Sequence, residues 1–158
     1  MELVYVGKIV NTHGIKGELK ILSDIDNKDK IFKVGNEFMI DDNVYIIKSY
    51  RHHKCFEMVT LNDFTNINEV LYLVGKKVFI DRKQIDNKII YNDYINLNVY
   101  INDELIGVVE DYNNGLNPLL IIKNDNKTFY IPINGNFIES VDLENKKLYV
   151  TEDVRGLM

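Results

Sequence analysis

The chain has 158 residues, of which 46% are apolar and 27% charged, and its net charge is −5. This composition is typical of folded proteins and excludes an intrinsically disordered chain, and no apolar run approaches the roughly 20 residues that a membrane-spanning helix needs. Cys55 is the only cysteine, which excludes an intrachain disulfide and indicates a reducing compartment, so we expect a cytoplasmic protein without membrane contacts.

The first half of the chain is a series of short strand-like segments. Each is apolar in a run or at every second position and is bounded by turn residues, which predicts a small barrel or sandwich. Six such segments cover residues 3–10, 18–22, 37–40, 44–50, 55–61 and 76–80. Residues 66–75 differ because their apolar positions follow helical spacing, and we expect a short helix capped by Thr65 or Asn66 and ended by Gly75.

A glycine-containing turn separates the first two predicted strands. Its sequence is His13-Gly14-Ile15-Lys16-Gly17. The two glycines allow positive φ angles or the close approach of a partner, and Lys8 and Lys20 add positive charge on either side. A turn surrounded by cations suits contact with phosphate groups, although it lacks the helix N-terminus of nucleotide-binding loops. A purely structural need for Gly14 and Gly17 stays an open alternative.

A second group of cations lies in residues 48–54, which include Arg51 and His53 and have aromatic neighbours. Cations interleaved with aromatic rings can bind phosphates and stack on bases. An ordinary charged hairpin is the alternative. His52 and His53 are adjacent and therefore point to opposite faces of a strand, so they cannot chelate one ion, and no metal site is predicted.

The second half begins after a polar, irregular segment, residues 83–92, which is the predicted linker between domains 1–82 and 93–158. Five more strand-like segments follow, at residues 97–101, 105–112, 118–123, 128–132 and 147–151. The net charge is +1 over residues 1–83 and −6 over residues 84–158. This asymmetry suggests a different partner for each half, and the first half is the better candidate for nucleic acid.

No nucleophile, base and carboxylate stand out as a catalytic group, so nothing in the residue pattern favours an enzyme. Several motifs instead occur in a distinctive order: Val6-Gly7-Lys8-Ile9-Val10 before the turn at 13–17, Val74-Gly75-Lys76, Phe129-Tyr130-Ile131-Pro132-Ile133, the segment 137–143, and Arg155-Gly156-Leu157-Met158. In this order they resemble the signatures of the RimM family, the 16S rRNA processing proteins. The resemblance covers essentially the whole chain.

The resemblance implies an all-β protein of two small barrels with one or two short helices. The first would be a six-stranded barrel like those of translation factors, and the second a PRC barrel. It also implies a non-enzymatic assembly factor without cofactor, which binds the head of the immature small (30S) ribosomal subunit. The partners would be 16S rRNA and the head protein numbered nineteen, and the factor would promote late rRNA folding and processing. We expect a monomer.

Two sets of candidate contacts follow from the resemblance and the charge pattern. Candidates for contact with rRNA or the ribosome are Lys8, His13, Lys16, Lys20, Arg51 and His53. The family has two adjacent tyrosines at the start of its second domain, where this chain has Ile90 and Tyr91. Tyr91, the following Asp93, and Tyr94 as a substitute for the missing ring are the candidates for binding the ribosomal protein. A reductase-like barrel enzyme and a plain protein-interaction module without RNA contact stay open as alternatives.

Overall fold

The computed structural model describes residues 1–86 and 88–158. The chain divides into two compact units, residues 1–88 and residues 89–158. The first unit has 14 Lys/Arg and 13 Asp/Glu, and the second has 5 and 11. The charge asymmetry seen in the sequence therefore coincides with this structural division.

The first unit is a closed barrel of six antiparallel strands. The strands are β1 (Leu3–His13), β2 (Glu18–Leu22), β3 (Glu37–Ile40), β4 (Asn43–His53), β5 (Phe56–Leu61) and β6 (Lys77–Asp81). Their order around the barrel is β1-β2-β5-β4-β3-β6, and β6 pairs again with β1. All six predicted strands of this half are present, and β1 and β4 extend three residues beyond their predicted ends.

The barrel core is built mainly by alternation along the strands, which is interrupted by bulges in β1 and β4 and by three consecutive buried residues, Glu57 to Val59, in β5. The buried inward set includes Val4, Ile9, Leu19, Ile21, Phe38, Ile40, Ile47, Leu61, Val78 and Ile80. Each of these contributes roughly 1.5–3 kcal/mol of hydrophobic stabilisation. The barrel is therefore a filled core and not a channel.

Short helical segments connect the strands of the barrel. The predicted helix over 66–75 is two consecutive 3₁₀ turns, Ile67–Glu69 and Leu71–Leu73. The Asn66 side chain accepts a hydrogen bond from the Asn68 N–H at 2.8 Å, as expected for a cap. The four-residue helix α1 (Lys28–Ile31) was not predicted, because one turn is too short to show helical periodicity.

The second unit is a six-stranded sheet. Its strands are β7 (Asn98–Ile101), β8 (Glu104–Asn113), β9 (Leu119–Asn124), β10 (Lys127–Pro132), β11 (Ile138–Asp142) and β12 (Lys147–Val150). The order is β10-β9-β8-β7-β12-β11, and β7 and β12 are the parallel pair. Pro132 ends the edge strand β10, which suits a residue without a backbone donor. The all-β prediction is confirmed.

Two elements of the second unit were missed. The burial of β11 does not alternate, because it is an edge strand with half-exposed side chains, and so its sequence has no strand signal. A 3₁₀ segment, Glu152–Leu157, packs beside β10 and buries Val154 completely. The second core gathers the inward residues of β7 to β10 and β12 around Leu120, Ile122 and Leu148.

The predicted linker contains ordered structure on both sides of the division. Residues Arg82–Ile85 form a 3₁₀ turn capped by the Asp81 side chain, and residues Tyr91–Tyr94 form another. One linker residue, Asn87, lies outside the described residues. No helix in the described residues is long and apolar enough to span a membrane.

Candidate functional site

The β1–β2 turn is held in place by its two glycines and by a 3₁₀ turn. Gly14 and Gly17 have φ angles of +68° and +90°, which L side chains rarely adopt. The Ile15 carbonyl accepts a hydrogen bond from the Ile67 N–H at 2.9 Å. A Cβ on Gly17 would lie 3.4 Å from the Asn66 nitrogen. The backbone therefore has its own need for both glycines.

Four of the six predicted rRNA-contact residues lie together on the outside of the barrel. We call His13, Lys20, Arg51, His53 and the intervening Glu18 the basic cluster. The His13 and His53 rings have centroids 5.7 Å apart. The Arg51 guanidinium donates two hydrogen bonds to the Glu18 carboxylate, at 2.9 and 2.8 Å. His13 and His53, which are 40 positions apart in the sequence, thus lie on one surface.

The register of the barrel explains this convergence. On one side of β2, Lys20 pairs with Asn11 of β1, and on the other side it pairs with Met58 of β5. Met58 in turn pairs with Arg51 of β4. Partners in a ladder share one face of the sheet, so Lys20 and Arg51 both face outward. The Lys20 ammonium also lies 5.2 Å from the centre of the Phe56 ring.

The charges in the basic cluster differ in their availability to a ligand. The hydrogen bonds from Arg51 lower the pKa of Glu18, so this carboxylate stays ionised and offsets the charge of Arg51. Desolvation, followed by the nearby Arg51 and Lys54 charges, lowers the pKa of His53 and so disfavours its charged form. Lys20 in the cluster and Lys16 in the turn have no carboxylate partner within the described residues.

The remaining candidate, Lys8, lies outside the basic cluster. It is exposed on β1, where it pairs with Leu22 of β2 and with Lys77 of β6. A second lysine beside it gives this part of the wall its own positive charge. Among the described residues, Lys16 in the turn and Lys20 in β2 are cations without a carboxylate partner.

A fully buried carboxylate anchors the strands that carry the cluster. Glu57 of β5 is 0% exposed and accepts hydrogen bonds from the Tyr50 hydroxyl at 2.7 Å and from Lys28 at 3.3 Å, and it contacts His52 Nδ1 at 2.8 Å. Burial raises its pKa, but the bonds from His52, Tyr50 and Lys28 outweigh this effect and lower it below its usual value. Burial and Glu57 raise the pKa of Tyr50 to about 12.

Glu57→Gln is expected to destabilise the first unit at neutral pH by about 2 kcal/mol, the range for hydrogen bonds to a charged group. Because the folded-state pKa of Glu57 is lowered, its contribution is present above the unfolded value and is lost as the pH falls through the folded value. Urea unfolding monitored by amide signals of residues 1–88 should show the two proteins converging below about pH 4. A constant difference at all pH values would contradict this assignment, and the exposed Asp63→Asn is the control.

The tyrosine candidates of the second unit differ in their exposure. Tyr91 is half-buried and packs edge-on against Tyr112, with ring centroids 5.9 Å apart. Tyr94 is only 9% exposed and belongs to the second core, so it offers little area to a partner. The Asp93 carboxylate accepts a hydrogen bond from the Ile90 N–H at 2.9 Å. Tyr91 and Asp93 are both half-buried and keep surface available for contact, whereas Tyr94 does not.

Several acidic side chains of the second unit face solvent. Its few cations are partly engaged by neighbours: Arg155 bonds both Glu104 and Glu152 at 2.7 Å, and Lys123 lies 3.9 Å from Glu110. Acids outnumber bases 11 to 5 in this unit, so its net charge is complementary to a basic partner and not to nucleic acid.

Both units match models of known protein domain families. Residues 4–85 match the RimM N-terminal domain, and residues 91–153 match the RimM PRC barrel domain. The chain belongs to the RimM family. The resemblance noted in the sequence motifs is thereby confirmed, and so is the assignment of a PRC barrel to the second half.

RimM relatives match this chain over nearly its whole length. A protein from Staphylococcus aureus strain MRSA252, named ribosome maturation factor RimM, is 36% identical, with 98% of each chain covered. A protein of the same name from an Exiguobacterium species is 34% identical over 96% of this chain and 94% of its own.

Solved structures with RimM names are also similar to this chain. A crystal structure of a 16S ribosomal RNA processing protein RimM from Pseudomonas aeruginosa is 23% identical and covers 98% of this chain and 99% of its own, with a TM-score of 0.49. The solution structure of the RimM N-terminal domain from Thermus thermophilus is 17% identical and covers 54% of this chain and 95% of its own, with a TM-score of 0.47.

The RimM motifs quoted from the sequence do not reveal the charge pairing of the basic cluster. Glu18 and Arg51 are 33 positions apart, and no local pattern links them. Glu57 was likewise missed as an anchor, because an isolated carboxylate in a strand looks like an ordinary surface residue. Its one signal is its position between the apolar residues Phe56 and Met58 in a mainly apolar strand.

Proposed function

We propose that this chain is a non-enzymatic maturation factor for the small ribosomal subunit, acting in the cytoplasm as a monomer. The observation that carries the proposal is the match of both RimM domain models to almost the entire chain. Relatives that cover this chain over nearly its full length are named ribosome maturation factors. The partner within this process is the head of the immature 30S subunit, with its 16S rRNA.

The first barrel is proposed to contact rRNA through the β1–β2 turn and the basic cluster. Lys16 and Lys20 carry charge that no carboxylate of the described residues neutralises. Arg51 would add a guanidinium fixed in direction by Glu18, and His13 and His53 would add imidazoles able to donate to phosphate oxygens. Contacts of this kind are electrostatic and position the protein without reading sequence.

The second barrel is proposed to hold a basic ribosomal protein, the head protein numbered nineteen. Its excess of acidic side chains supports this choice because opposite charges steer association and select the partner. Tyr91 would supply apolar contact area beside Asp93. Two barrels with different charge would thus bind the RNA and the protein of the same region.

Such a factor would act by mass action and not by chemistry. Binding one conformation of the subunit head more tightly than the alternatives shifts the population toward that conformation. Late folding and processing of 16S rRNA would then proceed from the favoured state. The proposal requires no metal, nucleotide or covalent step.

Deletion of the gene tests the proposal. We expect 16S rRNA precursors to accumulate and free subunits to increase relative to complete ribosomes, in gradient profiles and primer extension of the rRNA ends. A plasmid copy of the natural gene should restore both measurements, and the Lys16→Ala, Lys20→Ala double variant should restore them only in part. Unchanged precursor levels and subunit ratios in the deletion strain would contradict the proposal.

A further inference from the structure

The outer wall of the first barrel carries a continuous apolar row away from the basic cluster. Tyr5 of β1 pairs with Phe79 of β6, Phe79 pairs with Met39 of β3, and Met39 pairs with Val44 of β4. Adjacent strands lie about 4.8 Å apart, so the row extends for about 15 Å. Tyr5 and Val44 are 49% and 48% exposed, and the Tyr5 and Phe79 rings meet edge-on at 5.6 Å.

A second row, one outward position further along the same strands, combines apolar and acidic residues. Leu3 pairs with Asp81, and Glu37 pairs with Ile46. The β3–β6 pairing ends at Phe38 and Ile80, so Glu37 and Asp81 each lie one position beyond the last pair, in a row that also contains the exposed Leu3 and Ile46.

The two rows meet in a shallow pocket. Its lining includes Leu3, Met39, Val44, Glu37 and Asp81, and its volume is about 380 Å³ including the space open to solvent. Neither carboxylate forms an ion pair within residues 1–86 and 88–158, although one oxygen of Asp81 accepts the Lys83 N–H at 3.2 Å. Apolar walls with two uncompensated negative charges are complementary to an aliphatic stem that ends in a cation.

The pocket floor is held by hydrogen bonds and by the barrel core, which favours a role in binding. Gln84 accepts a hydrogen bond from the Glu37 N–H at 2.6 Å and donates one to the Glu37 carbonyl at 2.7 Å. The side chains beneath, Phe38 and Ile80, are both 0% exposed and belong to the barrel core. The free-energy cost of ordering the site when a partner binds would therefore be small.

We propose that this face, defined by Tyr5, Phe79, Met39, Val44, Leu3, Ile46, Glu37 and Asp81, docks a protein segment that combines apolar side chains with Lys or Arg. Phosphate-rich RNA and anionic lipid are disfavoured because Glu37 and Asp81 repel them. A second copy of this chain is disfavoured as well, since a two-fold contact would oppose four carboxylates. The closed barrel has no free strand edge here, so recognition occurs through side chains.

The proposal can be tested with a short fluorescein-labelled peptide of alternating lysine and leucine, titrated against the full chain by fluorescence anisotropy. Matched peptides with glutamate in place of lysine, or serine in place of leucine, should each bind at least about tenfold more weakly. Tyr5→Ser with Val44→Ser, and separately Glu37→Lys, should weaken the lysine–leucine peptide by a similar factor. Ile15→Ser, which removes an exposed apolar side chain elsewhere on the barrel, should not.

Three results would overturn the proposal. One is equal binding of the three peptides. Another is undiminished binding of the lysine–leucine peptide to both the Tyr5→Ser, Val44→Ser variant and the Glu37→Lys variant. The third is self-association in sedimentation that disappears in the Val44→Ser variant, which would assign the face to a second copy. All changed residues are surface-exposed, and circular dichroism checks that the variants are folded. The Lys16→Ala, Lys20→Ala variant should bind the peptide normally, so the outcome does not depend on the rRNA proposal.

Discussion

The double variant Lys16→Ala, Lys20→Ala is expected to bind a transcript of the head region of 16S rRNA about 30-fold more weakly than the natural protein at about 0.1 M salt. Each lost phosphate contact lowers the slope of log affinity against log salt by about 0.7 for single-stranded or 0.9 for duplex RNA. Two contacts therefore lower the slope by about 1.5 and produce this loss. Filter binding over a series of salt concentrations measures both quantities.

Because Arg51 is paired with Glu18 inside the basic cluster, the variants of this cluster are expected to differ in their effect on RNA binding. Arg51→Ala should weaken RNA binding less than the lysine changes, because Glu18 already offsets the Arg51 charge. Lys33→Ala with Lys83→Ala removes the same number of exposed lysines outside the cluster and serves as the charge-matched control. If that control loses as much affinity as the Lys16, Lys20 variant, binding follows overall charge, and the cluster is not the interface.

Much of the first unit could be predicted because its signals are local. Alternation of apolar residues located all six barrel strands, and the turn glycines were recognised from their spacing. The motif order then identified the family, which supplied the PRC barrel that strand counting alone did not. Local patterns failed where an element was short or half-exposed, as with α1 and β11.

The arrangement of the candidate sites could be predicted only in part, because it depends on strand register. Alternation shows that Lys20 and Arg51 face outward, but only the β2–β5–β4 ladder brings them to one surface. For the same reason the sequence did not reveal the apolar row, whose members come from four separate strands, β1, β6, β3 and β4. Tyr94 illustrates the reverse case, since an aromatic ring proposed for binding lies in the core.

Gly7→Ala is expected to have the largest effect on stability of any single-methyl change in the first barrel. A Cβ at this position would lie 2.4 Å from the Leu22 carbonyl oxygen and 3.0 Å from the Ser23 Cβ. The clash is with backbone, so β1 must separate from the end of β2. Separation would also break the hydrogen bond that the buried Ser23 hydroxyl donates to the Val6 carbonyl at 2.5 Å. We expect a loss of about 3 kcal/mol, or roughly 15 °C in Tm for a unit of this size.

Gly14→Ala provides the matched control, because it adds the same methyl group to a glycine of the same strand-turn-strand unit. No atom lies within 4 Å of a Cβ there, and only the φ of +68° opposes the change, which costs about 1–2 kcal/mol. Thermal unfolding, monitored by the amide signals of residues 1–88, would show which of the two variants loses more stability. Equal losses of stability would mean that the close approach at Gly7 costs no more than the left-handed backbone strain at Gly14. A larger loss at Gly7 would give the Val6-Gly7-Lys8 motif a structural cause: it keeps a side chain away from the point where β1 passes the end of β2.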